Sequence, residues 1–305
     1  MTTDSPVANT PPRPLKIGIL YESDEWSDHK LKDELIRATA SLGRPCIVEL
    51  IDLEEPDALD EALNCDALIG RIFASAAFRG HRRSLAVMPK LAKQAEERDI
   101  LLLNPERAHL FEVDKRLSTI TLGEAGVDVP VIYAWGIPGS IDPSLAAYPC
   151  IMKPNCGGRT TFTTLASNRT ELESALAEAP QDMEFLIEEY KQPVFGYITR
   201  VEIVGGKPRL VVKRSIAPNG LSAYHLGSTY ELYEDVNSEI LAAAERAAAA
   251  LGFTFGSFDV VETPEGAYFI DANSVSNVSE DCTELFSYDM MRDYAETIAG
   301  MIANL

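Results

Sequence analysis

The stretch SFDVVETPEGAYFIDAN, residues 257–273, decides the fold. Apolar and polar residues alternate on both sides of Thr263-Pro264-Glu265-Gly266, which predicts a β-hairpin with a tight turn. If Gly266 takes the left-handed position of a three-residue loop, Thr263 pairs with Ala267 and Asp259 lies directly opposite Asp271. Cross-strand Cβ atoms are about 5 Å apart, so two such carboxylates call for a shared proton or a cation.

The same face of this hairpin carries a third oxygen donor, because Asn273 lies two residues beyond Asp271. Two carboxylates and one amide form an all-oxygen donor set, which suits a hard cation such as Mg²⁺. The alternative is a solvent-facing edge hairpin whose acidic side chains only keep the protein soluble. The residues alone leave both interpretations open.

A second candidate site lies in YPCIMKPNCGGRTT, residues 148–161. Lys153 stands in an apolar strand, where its neighbours disfavour an exposed side chain. The loop Gly157-Gly158-Arg159-Thr160-Thr161 follows and can turn backbone N–H groups toward a phosphate, with Lys153 and Arg159 adding charge. Gly-Gly loops are common, and neither the P-loop nor the dinucleotide-binding fingerprint occurs in the chain.

The rest of the chain shows two patterns. Between residues 15 and 105, buried-type strands alternate with helices, which predicts a small parallel sheet covered by helices. The strands are predicted over 16–21, 45–51, 66–71 and 100–104, and the helices over 27–42 and 83–98. From residue 112 the pattern becomes antiparallel α+β, with a hairpin at Gly205-Gly206. Its helices are predicted over 113–125, 168–178, 239–251 and 287–304.

Charge and composition exclude several classes of protein. The 305 residues include 27 Lys and Arg against 47 Asp and Glu, for a formal net charge of −20, which repels nucleic acids and anionic membranes. No apolar run approaches the roughly 18 residues of a membrane-spanning helix. Residues 1–14 are polar and proline-rich, which predicts a disordered leader and no signal peptide. The five scattered cysteines form no C-x-x-C pair, so we expect a cytoplasmic protein.

Taken in order, these segments resemble the ATP-grasp superfamily, in particular its ribosomal-protein glutamate-ligase and glutathione-synthetase-like branch. The resemblance covers the chain from about Lys16 to Leu305. It rests on strings that follow one another as in that family: DALIGRI (66–72), VDKRLSTITLGEAGVDVP (113–130), YPCIMKPNCGG (148–158), FLIEEY (185–190) and FDVVETPEGAYFIDAN (258–273).

The resemblance implies an ATP-grasp fold of mixed α/β and α+β class. It implies an N-terminal α/β domain, a central lid subdomain and a C-terminal antiparallel-sheet subdomain that holds a metal site. After the leader, these parts are expected over residues 15–112, 113–185 and 186–305.

The resemblance also implies roles for individual residues. ATP contacts are expected from Lys115, Lys153, Gly157, Gly158, Arg159, Thr160, Thr161, Glu188, Glu189 and Tyr190. Catalytic contacts to the γ-phosphate or the reacting carboxylate are expected from Arg200, Lys213 and Arg214. Metal ligands are expected to be Asp259, Asp271 and Asn273. The implied cofactors are ATP and Mg²⁺, with two ions and with Mn²⁺ as an alternative metal.

Two departures from the family pattern concern these roles. Arg159-Thr160-Thr161-Phe162 stand where the glycine loop usually carries small residues, and Ile198 replaces an acid that is usual two residues before Arg200. The implied activity is an ATP-dependent carboxylate–amine ligase that works through an acyl phosphate on an amino acid or small peptide, with homo-oligomers common in such ligases. The alternatives are a non-catalytic ATP-binding subunit and a phosphotransferase that stops at the phosphorylated acid.

Two further residues are candidates for substrate binding. Arg71 ends a strand at the carboxyl edge of the predicted parallel sheet, where it would clamp a carboxylate or form a surface salt bridge. His225 would act on the acceptor side or have only a structural role.

Overall fold

The computed structural model describes residues 13–218, 220–222, 227–278, 280–303 and 305. Within these residues the strands form two four-stranded sheets and one five-stranded sheet. None of the helices described there is long and apolar enough to cross a lipid bilayer. The mixed parallel and antiparallel architecture confirms the predicted fold class.

The first sheet is parallel, as the sequence predicts, and its strand order is β2-β1-β3-β4. Its strands are β1 (Leu15–Tyr21), β2 (Cys46–Asp52), β3 (Ala67–Gly70) and β4 (Leu101–Leu103). The helices of this region are α1 (Trp26–Ser41), α2 (Ala58–Ala62) and α3 (Arg82–Glu97). A 3₁₀ helix at Ala74–Phe78 follows β3 and reaches the site described below.

The chain enters the second sheet through two short helices, α4 (Glu106–Val113) and α5 (Lys115–Glu124). The prediction of one helix starting at residue 113 therefore places the start too early. The carboxylate of Asp114 separates the two helices, because it accepts a hydrogen bond of 2.8 Å from the backbone N–H of Leu117 and caps α5. This cap makes Lys115 the first residue of α5.

The second sheet is antiparallel, and its strand order is β5-β8-β6-β7. Its strands are β5 (Ile132–Gly136), β6 (Cys150–Pro154), β7 (Thr164–Ala166) and β8 (Phe185–Glu189), and α6 (Arg169–Glu178) lies between β7 and β8. The predicted boundary at residues 185/186 falls inside β8, which pairs with β5 and β6. The division into domains stays a prediction.

The third sheet is antiparallel, and its strand order is β11-β10-β9-β12-β13. Its strands are β9 (Tyr197–Val204), β10 (Lys207–Ser215), β11 (Tyr230–Leu232), β12 (Phe255–Thr263) and β13 (Gly266–Asn273). The hairpin at Gly205-Gly206 is confirmed, and both glycines have positive φ angles. The alanine-rich helix α7 (Ser238–Leu251) packs on this sheet.

The predicted three-residue turn between β12 and β13 is wrong, but the predicted pairing of Asp259 with Asp271 is confirmed. Thr263 pairs with Gly266, so the turn has two residues rather than three. A bulge at Ile270 then shifts the register by one, and Asp259 lies opposite Asp271 as expected.

The C-terminal helices differ from the predicted single helix over 287–304. The sequence analysis missed α8 (Glu280–Phe286), and α9 covers Met290–Ile302 after an N-cap by Asp289. Helix α9 packs on the first sheet, where Tyr294 and Ile298 share one core with Ile17 and Ile19. This core also contains residues of β9 and β12, so it joins the first sheet to the third.

We predict that protonation of one buried histidine, His109 in α4, weakens folding in mild acid. Its side chain is buried, and its Nε2 atom has no hydrogen-bond partner within the described residues. Burial lowers the pKa of His109 to about 4, so the unfolded chain binds a proton at a higher pH than the folded chain does. The free energy of unfolding should therefore rise with pH between about 4 and 6.5.

The measurement is urea unfolding at about pH 7.5 and pH 5, where this group should account for a loss of about 2 kcal/mol on acidification. His109→Phe removes the titrating group and should lose that part of the pH dependence. His29→Asn on the exposed face of α1 is the control, and its pH dependence should stay close to that of the wild type. Equal slopes for wild type and His109→Phe would contradict the prediction.

Candidate active site

A cavity of about 850 Å³ lies between the second and third sheets. Side chains of β6 and β8 line one wall, and side chains of β9, β10, β12 and β13 line the other. Lys115 of α5, the loop 157–161 and Ser75 of the 3₁₀ helix close further sides. The cavity is therefore built from all three sheet regions of the chain.

Strand pairing arranges the wall on the third sheet into cross-strand rows. The first row contains Val212, Arg200, Asp259 and Asp271, and the second contains Leu210, Glu202, Ser257 and Asn273. Directly paired residues point to the same face of a sheet, so each row presents its side chains together. The charged residues of both rows lie in the middle of the wall.

Arginines and a lysine compensate the two hairpin acids. Asp259 accepts hydrogen bonds from Arg200 at 3.1 Å and from Arg214 at 2.7 Å. Burial alone would raise the pKa of Asp259, but the two guanidinium groups outweigh it and lower that pKa below its usual value. Asp271 forms an ion pair with Lys115. The repulsion between the two carboxylates is thus compensated by side-chain cations.

Lys115 remains charged although it is buried. Burial disfavours the ammonium form, but the carboxylates of Asp271, Glu112 and Glu188 together outweigh that effect and raise the pKa of Lys115. Its N1 position on α5 directs the side chain into the cavity beside the hairpin. An ammonium group has three donors, so Lys115 can bind a further anion without leaving Asp271.

A second buried ion pair lies on the other wall. Lys153 Nζ is 2.6 Å from Glu188 Oε1 and donates to the carbonyl of Ile270 at 2.8 Å. The second carboxylate oxygen of Glu188 has no hydrogen-bond partner in the described part of the chain. Burial raises the pKa of Glu188 even though Lys153 acts in the opposite direction. Lys153 therefore links β6 to the hairpin strand β13, with donor capacity left for a ligand.

The hairpin donors fit a magnesium ion that is shared with a substrate phosphate. No group of three or more His, Cys, Asp and Glu side chains in the described ranges is arranged to hold a metal. Mg²⁺ usually keeps several waters and binds through one or two carboxylates together with substrate phosphates, so an all-protein cage is not required. Asp259, Asp271 and Asn273 supply that smaller set at the cavity wall.

The loop that carries Gly157 packs on the N-terminal region. The Cβ of any other residue at position 157 would lie 2.2 Å from the ring of Phe78. Phe162, at the far end of the loop, contacts the same ring edge-to-face with the centroids 5.7 Å apart. Arg159 and Thr160 have positive φ angles, which are uncommon for residues other than glycine. Contact with Phe78 therefore holds the unusual loop sequence over the cavity.

Most of the predicted site residues line this cavity. They are Lys115, Lys153, Gly157, Gly158, Arg159, Thr160, Thr161, Glu188, Glu189, Tyr190, Arg200, Arg214, Asp259, Asp271 and Asn273. Their placement brings the two predicted sites together, while their individual roles stay predictions.

The structure places Lys213 outside the cavity and corrects its predicted catalytic role. Neighbouring residues of a strand point to opposite faces, and Arg214 faces the cavity. The ammonium group of Lys213 lies over the rings of Tyr197 and Tyr233, at 4.9 and 4.3 Å from their centroids. It therefore stabilises the opposite face of the sheet.

The prediction for Arg71 is also wrong in both its forms. Arg71 is buried, pairs with Asp28, and donates to Ser27 Oγ at 2.9 Å and to the carbonyl of Ser276 at 3.2 Å. It is thus a buried link between the first sheet region and the segment after β13, not a carboxylate clamp or a surface pair. His225 lies outside the described residues.

Sequence reasoning missed Glu202 and Ser276, which both contact Arg200. Glu202 accepts from Arg200 Nε at 2.7 Å, and Ser276 Oγ accepts from Arg200 Nη2 at 3.0 Å. Strand alternation was the available signal for Glu202, because residues 200 and 202 of a strand share a face. No sequence signal pointed to Ser276, which approaches through tertiary structure.

Comparisons with known proteins identify relatives of moderate similarity. The chain is 28% identical over 151 residues to a D-alanine–D-alanine ligase of Pediococcus pentosaceus, which covers 46% of this chain and 42% of that protein. It is 27% identical over 215 residues to a probable α-L-glutamate ligase of Xanthomonas euvesicatoria, covering 68% of this chain and 70% of the relative. A probable α-L-glutamate ligase of Aliivibrio salmonicida is 26% identical over 278 residues, or 85% and 87% of the two chains. No protein-family model matches.

Solved structures with the same fold cover nearly the whole chain. A D-cycloserine synthetase superposes with a TM-score of 0.67 at 16% identity, covering 94% of this chain and 99% of its own. The D-alanine–D-alanine ligase of Bacillus anthracis gives 0.69 at 16% identity, with 95% and 96% covered. A RimK-domain ATP-grasp protein of Sphaerobacter thermophilus gives 0.66 at 19% identity, with 93% and 98% covered. At these identities the likeness shows the fold alone.

We predict that Gly157→Ala displaces the loop from the cavity. The added methyl group would collide with the ring of Phe78, so the KM for ATP should rise about 10-fold, as expected when a closing loop is misplaced. Gly139→Ala is the matched control, because its Cβ would meet no atom within 4 Å.

A double variant tests the cause. In a Phe78→Ala background the ring is absent, so adding Gly157→Ala should have little further effect on the KM for ATP. Equal effects of Gly157→Ala in both backgrounds would show that the contact with Phe78 is not what requires glycine.

We predict that Lys153 serves both folding and ATP binding, and that the two can be separated. Lys153→Met leaves Glu188 buried without its cation and should lower the free energy of unfolding by about 3–5 kcal/mol. Lys153→Met combined with Glu188→Gln should recover most of that stability. ATP affinity should stay at least about 100-fold weaker in both variants, because the ammonium group is missing.

Denaturant unfolding and calorimetric titration with ATP and Mg²⁺ measure the two effects separately. Lys93→Met, on the exposed face of α3, is the control for loss of a lysine charge. Recovery of ATP affinity in the double variant would reduce Lys153 to a structural role.

Proposed function

We propose that this chain, an ATP-grasp enzyme that forms carbon–nitrogen bonds, activates a substrate carboxylate as an acyl phosphate and transfers the acyl group to an amine. Enzymes of this superfamily use ATP and a divalent metal ion. The relatives named as D-alanine–D-alanine ligase and α-L-glutamate ligase support amino acids or small peptides as the substrates of this chain.

The observation that carries the proposal is the arrangement of cations around one cavity. Lys115, Lys153, Arg200 and Arg214 all line it in a chain whose formal net charge is −20. Each of them is paired with a carboxylate, so the cations are oriented before a ligand arrives. Oriented donors in a water-poor site stabilise the charge of a triphosphate more than mobile surface lysines can.

The proposed reaction has two steps. In the first, a carboxylate oxygen attacks the γ-phosphorus of ATP, the bond from that phosphorus to the bridging oxygen of ADP breaks, and an acyl phosphate and ADP result. In the second, the amine nitrogen attacks the acyl carbon and expels phosphate. The proton lost by the nitrogen leaves with the phosphate or the solvent, so the products are an amide, ADP and inorganic phosphate.

The chain's own residues supply position, charge and protection from water. Lys115 and Lys153 would bind phosphate oxygens, and Arg214 with Arg200 would orient the transferred phosphoryl group or the attacking carboxylate. The backbone at Glu189 and Tyr190 would meet the adenine edge. The loop held by Phe78 would exclude water, which would otherwise hydrolyse the acyl phosphate.

The metal would bind at the hairpin. Asp259, Asp271 and Asn273 would hold Mg²⁺, or Mn²⁺ in its place, against the substrate phosphates, and two ions fit a donor set of two carboxylates and one amide. The chemistry that the metal supplies is neutralisation of phosphate charge.

Oxygen transfer from the acid tests the acyl phosphate. The substrate pair would first be found by screening amino-acid pairs for ADP release. With an ¹⁸O-labelled carboxylate, one ¹⁸O atom should appear in the inorganic phosphate by mass spectrometry, because the attacking oxygen leaves with the phosphoryl group. Hydroxylamine should trap the activated acid as a hydroxamate.

Asp271→Asn removes a proposed metal ligand. It should reduce hydroxamate formation at least about 100-fold, and excess metal should restore part of that activity. Asp235→Asn, in an exposed turn, should behave as the wild type. Unlabelled phosphate would reject the acyl phosphate. Nucleotide binding without ADP release would support a non-catalytic subunit, and a stable phosphorylated acid would support a phosphotransferase.

A further inference from the structure

One end of the cavity is apolar. A cluster of hydrophobic side chains from β10, β11, α8 and the segment after α8 forms this wall, and every member of the cluster lines the cavity. Its members are Leu210, Val212, Tyr230, Cys282, Phe286 and Tyr288. The phosphates of ATP and Mg²⁺ are charged and do not bind to apolar side chains. This surface, called the apolar wall below, is therefore available to another ligand.

An acid lies directly beside the apolar wall. Glu202 pairs across the strands with Leu210, and Arg200 pairs with Val212, so the two charges stand next to the two aliphatic side chains. Glu202 lines the cavity and is only 4% exposed. One of its oxygens accepts from Arg200, and the other has no hydrogen-bond partner among the described residues.

A buried carboxylate oxygen without a donor is costly, because desolvation is not repaid. Arg200 does not supply the missing donor, because its hydrogen bonds go to the other oxygen of Glu202, to Asp259 and to Ser276. The neighbouring Ser257, which stands opposite Glu202 in β12, also has no hydrogen bond from its hydroxyl within the described part of the chain. This position is therefore suited to a donor that enters with a ligand.

We propose that the cavity selects an α-amino acid with an apolar side chain as its acyl donor, and that Glu202 binds the ammonium group. The side chain packs on the apolar wall, and the carboxylate lies toward Arg200 and Arg214. This inference rests on the proposed ligase function and adds its substrate class.

Charge balance agrees with a zwitterionic substrate. Arg200 and Arg214 carry two positive charges, and Asp259 and Glu202 carry two negative charges in the same network. An amino acid adds one charge of each sign, so no net charge is buried when it binds. An acid without an amino group would bring an uncompensated negative charge and leave Glu202 without its donor.

The experiment uses hydroxylamine as a common nucleophile, so that only the acid varies. The chain of 305 residues, with ATP and Mg²⁺, is given L-phenylalanine, L-leucine, L-glutamate or 3-phenylpropionate, which is phenylalanine without its amino group. We expect kcat/KM for the two apolar amino acids to exceed that for L-glutamate and for 3-phenylpropionate about 100-fold or more.

Glu202→Gln keeps the size of the side chain and removes its charge. We expect it to lower kcat/KM for L-phenylalanine about 100-fold more than kcat/KM for 3-phenylpropionate, so the discrimination between the two acids is lost. The KM for ATP should not move, which separates binding of the acid from general damage. Glu231→Gln is the matched control, because Glu231 is exposed and does not line the cavity.

A second variant keeps the test sound if Glu202→Gln does not fold. Phe286→Ala removes an aromatic ring from the apolar wall. Because L-leucine then loses apolar contacts, its KM should rise about 10-fold, with the KM for ATP unchanged. Preference for L-glutamate, or an undiminished preference for L-phenylalanine over 3-phenylpropionate in Glu202→Gln, would overturn this inference and leave the ligase proposal standing. A failure to form ADP or hydroxamate across a wider screen of acids would count against the ligase proposal itself.

Discussion

The pairing of Asp259 with Asp271 across one hairpin is the constraint on which the site depends. Two carboxylates on adjacent strands repel each other, and the fold compensates them with Arg200, Arg214 and Lys115. These three cations come from β9, β10 and α5, so the repulsion within the hairpin fixes which surfaces must meet around it. The cavity forms at that meeting point.

The same pairing lets a chain with a formal net charge of −20 hold oriented cations at its cavity. Most of the 47 acidic residues have no part in the cavity, whereas the cations that line it are each held by an acid. Such pairs are close to neutral, so no charge is left buried without a partner, and each cation keeps donors for an incoming anion. A highly acidic protein can thus bind a polyphosphate without a basic surface patch.

The sequence predicted this centre better than its surroundings, for physical reasons. Strand type and the hairpin acids follow from local pattern, and the expected Asp259–Asp271 pairing was right only because a shorter turn and a bulge at Ile270 compensate each other. Tertiary contacts could not be predicted from local pattern. Arg71, for example, binds Asp28 and Ser276, which are distant from it in the chain. Lys213 was a different error, since strand alternation already places it on the face opposite Arg214.

Alternation also explains why the substrate side is harder to predict than the ATP side. The proposed ATP ligands are charged residues that stand out in apolar strands, as Lys153 does in β6. The apolar wall consists of residues such as Leu210 and Val212 that any buried strand would contain, so nothing in their type marks them. Their proposed role in substrate binding follows only from the register that places them beside Arg200 and Glu202. The specificity that we propose would therefore be carried by ordinary residues in a particular register.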